Sequence, residues 1–442
     1  MSSLSRTRKI LALGIAVVTA VGLAGCATGG AGGSGQSSTL NPDAKVSGQI
    51  TVWSWDVAAT ALKRLGAQYQ KSNPGTTIKV VDVGYDNVYD KISVGLQAGS
   101  GLPDVLTIET DHTPGYISQF PKSFTNLDPI LGSDKSDFDP SKWAASLGKN
   151  GDLYAAPWDA GTMALYYRSD YLKAAGVDPA SLTSWNKLVA AGEQIKSQTG
   201  HTLMSTDLSA GGPFYAMLQQ QGQGIFNAQG KIDITSPAAV NALTLIKQMN
   251  DKGLLKNVKG WDAEVTSAKN GDSAVDPNAV WWVGTLTSEM PELSGKFGVT
   301  ELPAFTDGGA RTSNNGGSGL AIPTQAKNPQ LAASFVKYVL ANKDNQASMM
   351  QKEGLFPSYL PALKTSYFQQ PQPFFGGQKV YQLFADLTAK IPPITYTSDN
   401  SAATDVINNA VAAAVLNGAD PTKALTDAAK QIATATGRSI AG

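Results

Sequence analysis

A chain of 442 residues, 42% hydrophobic and 16% charged, is globular in composition and too long for one ordinary hydrophobic core, which predicts two domains or two lobes of one fold. Its 35 basic residues balance 35 acidic ones, and no basic run occurs beyond the N-terminus, so nothing points to nucleic acid. One cysteine and two histidines are too few soft ligands for a zinc or iron–sulfur site, so neither metal nor cofactor is expected.

The chain opens with Arg6, Arg8 and Lys9 ahead of an apolar run over residues 10–24. At about 15 residues that run is short for a membrane span and suits the core of a signal peptide. The sequence "LAGC" (23–26) then resembles the lipobox of bacterial lipoproteins, which implies that residues 1–25 are removed and that Cys26 carries a diacylglycerol. Under the alternative, an ordinary secretory signal, Cys26 has no role, because the chain holds no second cysteine for a disulfide. Residues 26–45 are rich in glycine and serine and read as a flexible tether, with the folded part starting near Lys45.

"GQITVWSWD" (48–56) reads as a strand, "ATALKRLGAQYQK" (59–71) as a helix with Leu62, Leu65 and Tyr69 on one face, and "TTIKVVDV" (76–83) as a second strand after the turn "NPG". A further helix precedes the turn and buried strand of "GLPDVLTIE" (101–109). Alternating strands and helices predict an α/β fold with a largely parallel sheet, whose ligands gather at the carboxyl ends of the strands. Beyond about residue 160 helices dominate. Ala239, Ala242, Leu243, Ile246 and Met249 form one apolar face after a Ser-Pro start, and Ala332, Phe335, Val336 and Val339 a second. Val406, Ile407, Ala410 and Ala414 form another, as do Leu425, Ala428, Ala429 and Ile432.

Six segments in order resemble the extracellular solute-binding proteins of ATP-driven (ABC) importers, in particular the family that takes up oligosaccharides. They are "ITVWSWD", "GSGLPDVLTIETD" (99–111), "LYAAPWDAGTMALYYRSDYLKAAGVDP" (153–179) with "SWNKL" (184–188), "AVWWVGTL" (279–286), "FGVTELPAF" and "NNGGSGLAIP" (314–323). The resemblance spans nearly the whole chain after the tether. It implies a two-lobed periplasmic-binding-protein-like fold with hinge crossings and a ligand cleft between lobes. Lobe one would take residues 46–158 and 303–347, and lobe two 159–302 and 348–442. The hinge would lie at 157–160, at 303–305 and near 347. The expected partners are an oligosaccharide and the membrane permease, which recognises the closed lobes. The protein is read as a monomer, lipid-anchored outside the bacterial cytoplasmic membrane.

Sugar rings stack on aromatic faces, and their hydroxyls need fixed donors and acceptors. Trp55 and Asp56 end the first strand and are expected at the cleft, with Trp53 in the core; Asp56 also reads as a cap for the next helix. Tyr85 follows the second strand, and Glu109 and Asp111 end the "DVLTI" strand, where they read as ligands or as exposed loop carboxylates. His112 reads as a surface or satisfied residue, and Asp104 as structural. Trp158 and Asp159 stand at the crossing, with hinge packing as the other reading of Trp158. Tyr166 and Tyr167 read as core. Of the adjacent Trp281 and Trp282, only one can face the cleft from a strand, and Trp282 is assigned to it. Gly316 and Gly317 would offer backbone amides to a hydroxyl. Phe356 and, more weakly, Asp207 complete the set.

Paired carboxylates such as Asp56 and Glu109 would also suit a surface glycoside hydrolase, but no nucleophile elbow, zinc helix or phosphate loop appears. A polyamine, peptide or iron ligand is the other alternative. Iron is disfavoured by the two histidines, and Trp53, Trp55, Trp158, Trp185, Trp281 and Trp282, six of the eight tryptophans, favour stacking on rings.

Overall fold

The computed structural model describes residues 40–442. The expected signal peptide, Cys26 and the expected tether up to residue 39 lie outside the described residues. The folded part starts earlier than Lys45: Leu40 is buried in a core, and Asn41 exchanges hydrogen bonds with the Gln330 side chain at 3.0 and 2.6 Å. Among the described residues no helix is long and apolar enough to cross a membrane.

Ten strands follow in chain order: β1 (Gly48–Ser54), β2 (Thr76–Asp82), β3 (Val105–Glu109), β4 (Ala155–Pro157), β5 (Met163–Arg168), β6 (Thr202–Thr206), β7 (Leu255–Asn257), β8 (Ser273–Ala279), β9 (Phe297–Thr300) and β10 (Ser318–Ala321). They build two five-stranded sheets, ordered β2-β1-β3-β10-β4 and β7-β6-β8-β5-β9. Each sheet is parallel except for its fourth strand: β10 runs against β3 and β4, and β5 against β8 and β9. The expected parallel sheet is therefore mixed. The reversed strand is in each case one that arrives from the other half, β5 directly after β4 and β10 after β9.

Helices cover the sheets with the faces that periodicity picks out. Leu62, Leu65 and Tyr69 of helix Asp56–Ser72 are buried. So are Ala239, Ala242, Leu243, Ile246 and Met249 of Pro237–Asp251, whose start is capped by the Ser236 hydroxyl accepting from Ala239 N–H. Helix Lys343–Glu353 packs on Asp56–Ser72 and Pro329–Leu340, and Arg64 grips Glu353 through Nε and Nη2, each at 2.7 Å. Residues 348–353 thus belong with the first sheet, and the third passage lies at 354–358 instead of near 347.

Three segments cross side by side. Ala160 N–H donates to Phe356 O (2.8 Å) and Ser358 N–H to Trp158 O (2.9 Å), while Asn315 N–H donates to Gly161 O at 2.8 Å. At Gly161 the packing leaves no room for a side chain: a Cβ there would stand 1.9 Å from Asn315 O and 2.5 Å from its carbonyl carbon. Both obstacles are backbone, so rotamer change cannot relieve them. Gly161→Ala is expected to cost about 3 kcal/mol in denaturant unfolding. The control Gly132→Ala, where φ is −57° and the nearest atoms lie at 3.6 Å, should stay within about 1 kcal/mol of the parent.

Candidate functional site

The carboxyl ends of β1 and β3 and the start of helix Tyr85–Ala98 meet on the first half. Glu109 is their centre. Its Oε2 accepts from Tyr85 (2.9 Å) and Tyr89 (2.7 Å), and the Tyr89 hydroxyl also accepts from Glu109 N–H at 3.3 Å. Trp55 packs edge-on to Tyr85 with ring centres 5.7 Å apart, and Tyr89 stacks on His112 at 3.9 Å. His112 Nδ1–H donates to Asp111 Oδ1 at 2.8 Å. Asp56 is exposed at the first position of its helix with φ +42°, the only positive φ outside glycine among the described residues. Such strain at a non-glycine residue gathers at functional sites.

The crossing at 314–317 closes this corner from the other side. Thr110 N–H donates to Gly317 O at 2.9 Å. Gly316 and Gly317 have φ +76° and +85°, and a Cβ on Gly316 would lie 3.6 Å from both Glu109 Oε1 and Trp281 Nε1. Glu109 from the first half and Trp281 from the second therefore flank the same glycine. Trp281 Nε1–H donates to Asn315 O at 3.0 Å. Lys142, buried, donates to Asn314 Oδ1 (3.2 Å) and Gly316 O (2.9 Å). Tyr396 lies in the field of Asp111, while Asp405 acts on both His112 and Tyr215. A Cβ on Gly115 would meet Ser398 O at 3.3 Å, so the two halves touch here.

Trp55, Tyr85, Glu109, Asp111, Gly316 and Gly317 are thus brought together. Other expected ligand residues are placed elsewhere. Trp158 is fully buried in the first core with its indole N–H on Met349 Sδ at 3.3 Å. Phe356 is fully buried between Phe368 and Phe384. Trp282 is fully buried against Trp261, and the half-buried Trp281 takes the place expected of it. The alternation argument fails because β8 ends at Ala279 and a helix starts at Trp282. Asp159 is buried and spends Oδ1 on Ser318 N–H (2.7 Å) and Oγ–H (2.6 Å), tying two crossings together. Asp207 caps a short turn through Ser209 and Ala210 N–H. Tyr89, Lys142, Tyr396 and Asp405 are additions. Of these only Tyr89, one helical turn after Tyr85, had a local signal.

Glu109, Asp111 and His112 each offer a ligand atom within 4.8 Å of the others. However, Glu109 Oε2 already takes two phenol hydroxyls and His112 Nδ1 is bound to Asp111 Oδ1, so these atoms are engaged by protein partners. Burial and the Asp111 charge push Glu109 up to about 7. Burial opposes the charge of Asp111, yet His112 holds it below the usual carboxylate range. Burial likewise opposes the charge of His112, but Asp111 and Glu109 raise it.

A carboxyl raised in the folded state is stabilising below its ordinary range, and that contribution is lost as pH rises through about 7. The melting temperature should therefore fall more between about pH 5 and pH 8 in the parent than in Glu109→Gln. Comparing the two removes the contribution of Glu264, which is also pushed up to about 7.

Comparison with known proteins identifies the family. The family model described as bacterial extracellular solute-binding protein matches residues 54–346. The lactose-binding protein of Rhizobium radiobacter is 32% identical over 365 residues, covering 80% of this chain and 85% of that protein. The arabinooligosaccharide-binding protein of Bacillus subtilis is 26% identical over 354 residues, 78% of this chain and 82% of its own. An ABC-transporter-associated binding protein of B. animalis subsp. lactis, solved with β-1,6-galactobiose, superposes with TM-score 0.79 at 24% identity over 90% of this chain and all of that one (100%). The GacH receptor of Streptomyces glaucescens, solved unliganded and with acarbose, gives 0.75 at 22%, covering 88% and 98%. The fold is the two-lobed α/β architecture of these binding proteins, and the chain belongs to the bacterial extracellular solute-binding protein family.

Proposed function

We propose that this protein is the substrate-binding lipoprotein of an ABC-type sugar importer, which captures an oligosaccharide by lobe closure and hands it to the membrane permease. The observation that carries the reading is the convergence of Glu109, Trp281 and Gly316 from two lobes and a crossing segment. A carboxylate beside aromatic rings and approachable backbone is what a sugar hydroxyl and ring face require. Relatives that bind lactose and arabino-oligosaccharides support the same ligand class. Trp55, Asp56, Tyr85, Glu109, Asp111, Trp281, Gly316 and Gly317 are the contacts assigned to the sugar. The site binds and releases its ligand unchanged, acting as a monomer. Export and lipidation at Cys26 are the reading that the lipobox supports.

Thermal unfolding against lactose, arabino-oligosaccharides and spermidine tests the reading. A ligand at 100 times its Kd adds about 2.7 kcal/mol to the folded state, so one sugar class should raise the melting temperature and be recovered intact. Trp281→Ala should weaken that sugar about tenfold or more. A rise with spermidine alone, or conversion of the sugar, overturns the proposal. In a bacterial host, Cys26→Ser should move the protein from the membrane fraction to the soluble one, and unchanged membrane retention would refute the lipid anchor.

A further inference from the structure

Lys142 is a lysine buried to 6% exposure on the short helix Pro140–Ala145. Taking an ammonium out of water is costly, and lysine is rarely buried without a carboxylate partner. Here no carboxylate among the described residues lies within ion-pair distance of it. Asp139 Oδ1 is turned to Ser141 and to Lys142 N–H, and Asp159 Oδ1 to Ser318. The ammonium instead donates to two neutral oxygens of one segment, Asn314 Oδ1 and Gly316 O. A Cβ on Gly317 would be 2.5 Å from its Nζ, so that glycine makes room for the charge.

The second lobe holds the same segment by neutral bonds. Gln219 Oε1 accepts from Asn314 N–H (3.1 Å) and Ser313 Oγ–H (3.2 Å), and Trp281 holds Asn315 O. The crossing is strung between the lobes: the Lys142 ammonium fastens residues 314–316 on the side of Glu109, and the Asp159 carboxylate holds Ser318 at its end. Gly317 O in turn accepts from Thr110, the residue after Glu109. The position of the Gly316 backbone relative to the Glu109 carboxylate therefore depends on where Lys142 holds the loop.

We propose that Lys142 is a positioning residue for ligand capture, a buried cation that fastens the 314–317 crossing to the first lobe and so sets the spacing between Gly316 and Glu109. The proposal rests on the reading of this corner as the ligand site, but its first test needs no ligand. Hydrogen exchange of the ligand-free, full-length protein is compared for the parent, Lys142→Met, Asn314→Ala and the double variant. Losing a charged hydrogen-bond donor should speed exchange about tenfold or more at the Thr110, Asn315 and Ser318 amides while leaving the amides of the β1–β2 ladder unchanged. Binding of lactose and of arabino-oligosaccharide, whichever raises the parent's melting temperature, should weaken about tenfold in Lys142→Met, and the double variant should lose much less than the two single losses combined.

Unchanged exchange at the three amides, exchange accelerated equally throughout the first lobe, or fully additive losses would each overturn the proposal. If neither sugar binds the parent, the sugar reading fails by itself and the exchange result alone decides the role of Lys142. Should Lys142→Met not fold, Asn314→Ala carries the test: local acceleration at the same amides supports the fastening, and none refutes it.

Discussion

The segments that join the two sheets pass so close together that Gly161, against the Asn315 carbonyl, has no room for a side chain. The Asn315 amide donates to Gly161 O while the Asn315 carbonyl occupies the space where any Cβ at 161 would stand. Around this contact the 157–162 segment is flanked by 354–358 on one side and 313–318 on the other. β4, β5 and β10 are direct continuations of the crossings. Their placement explains why each sheet carries one reversed strand in the same position.

The crossings also determine what can be a ligand contact. Residues within them serve mainly to hold them: Trp158 fills the first core, Asp159 caps the start of β10, and Phe356 sits among other phenylalanines. Side chains turned to the space beside the crossings come from the strand ends and from the second lobe's helices. This matches the general placement of ligands at the carboxyl ends of strands in α/β sheets. Trp158 and Phe356 are taken up by the cores of the two halves that the crossings enter.

Periodicity made the helix faces and the first strands readable, since burial on one side leaves a period that a single sequence records. The same logic located Glu109, Asp111 and Tyr85, because each follows a recognisable strand. It failed at "AVWWVG", where the period changes from two to 3.6 between Ala279 and Trp282. Without knowing where the strand stops, the two tryptophans cannot be told apart. Lys142, Tyr396 and Asp405 were illegible for a different reason: each lies far along the chain from its partners, and only tertiary packing brings it to them. The early start of the fold at Leu40 was hidden by its glycine- and serine-rich neighbours, although the docking contact with Gln330 comes from the opposite end of the first lobe's sequence.

The balance of charge at the corner bears on the kind of solute that fits it. Acceptors are plentiful in Glu109, Asp111 and Asp405, but His112 stands among them with its charge favoured, and the Lys142 ammonium lies behind the glycines. A polyamine entering here would meet the Lys142 ammonium behind the glycines as well as the carboxylates. A bare anion would meet at least three carboxylates. A neutral molecule with many hydroxyls meets neither penalty. It can donate to the carboxylates, accept from the Trp281 indole or the glycine amides, and lay its apolar ring faces on Trp55 or Trp281. Trp281 already donates to Asn315 O, a bond for which a hydroxylated ligand entering this corner would compete.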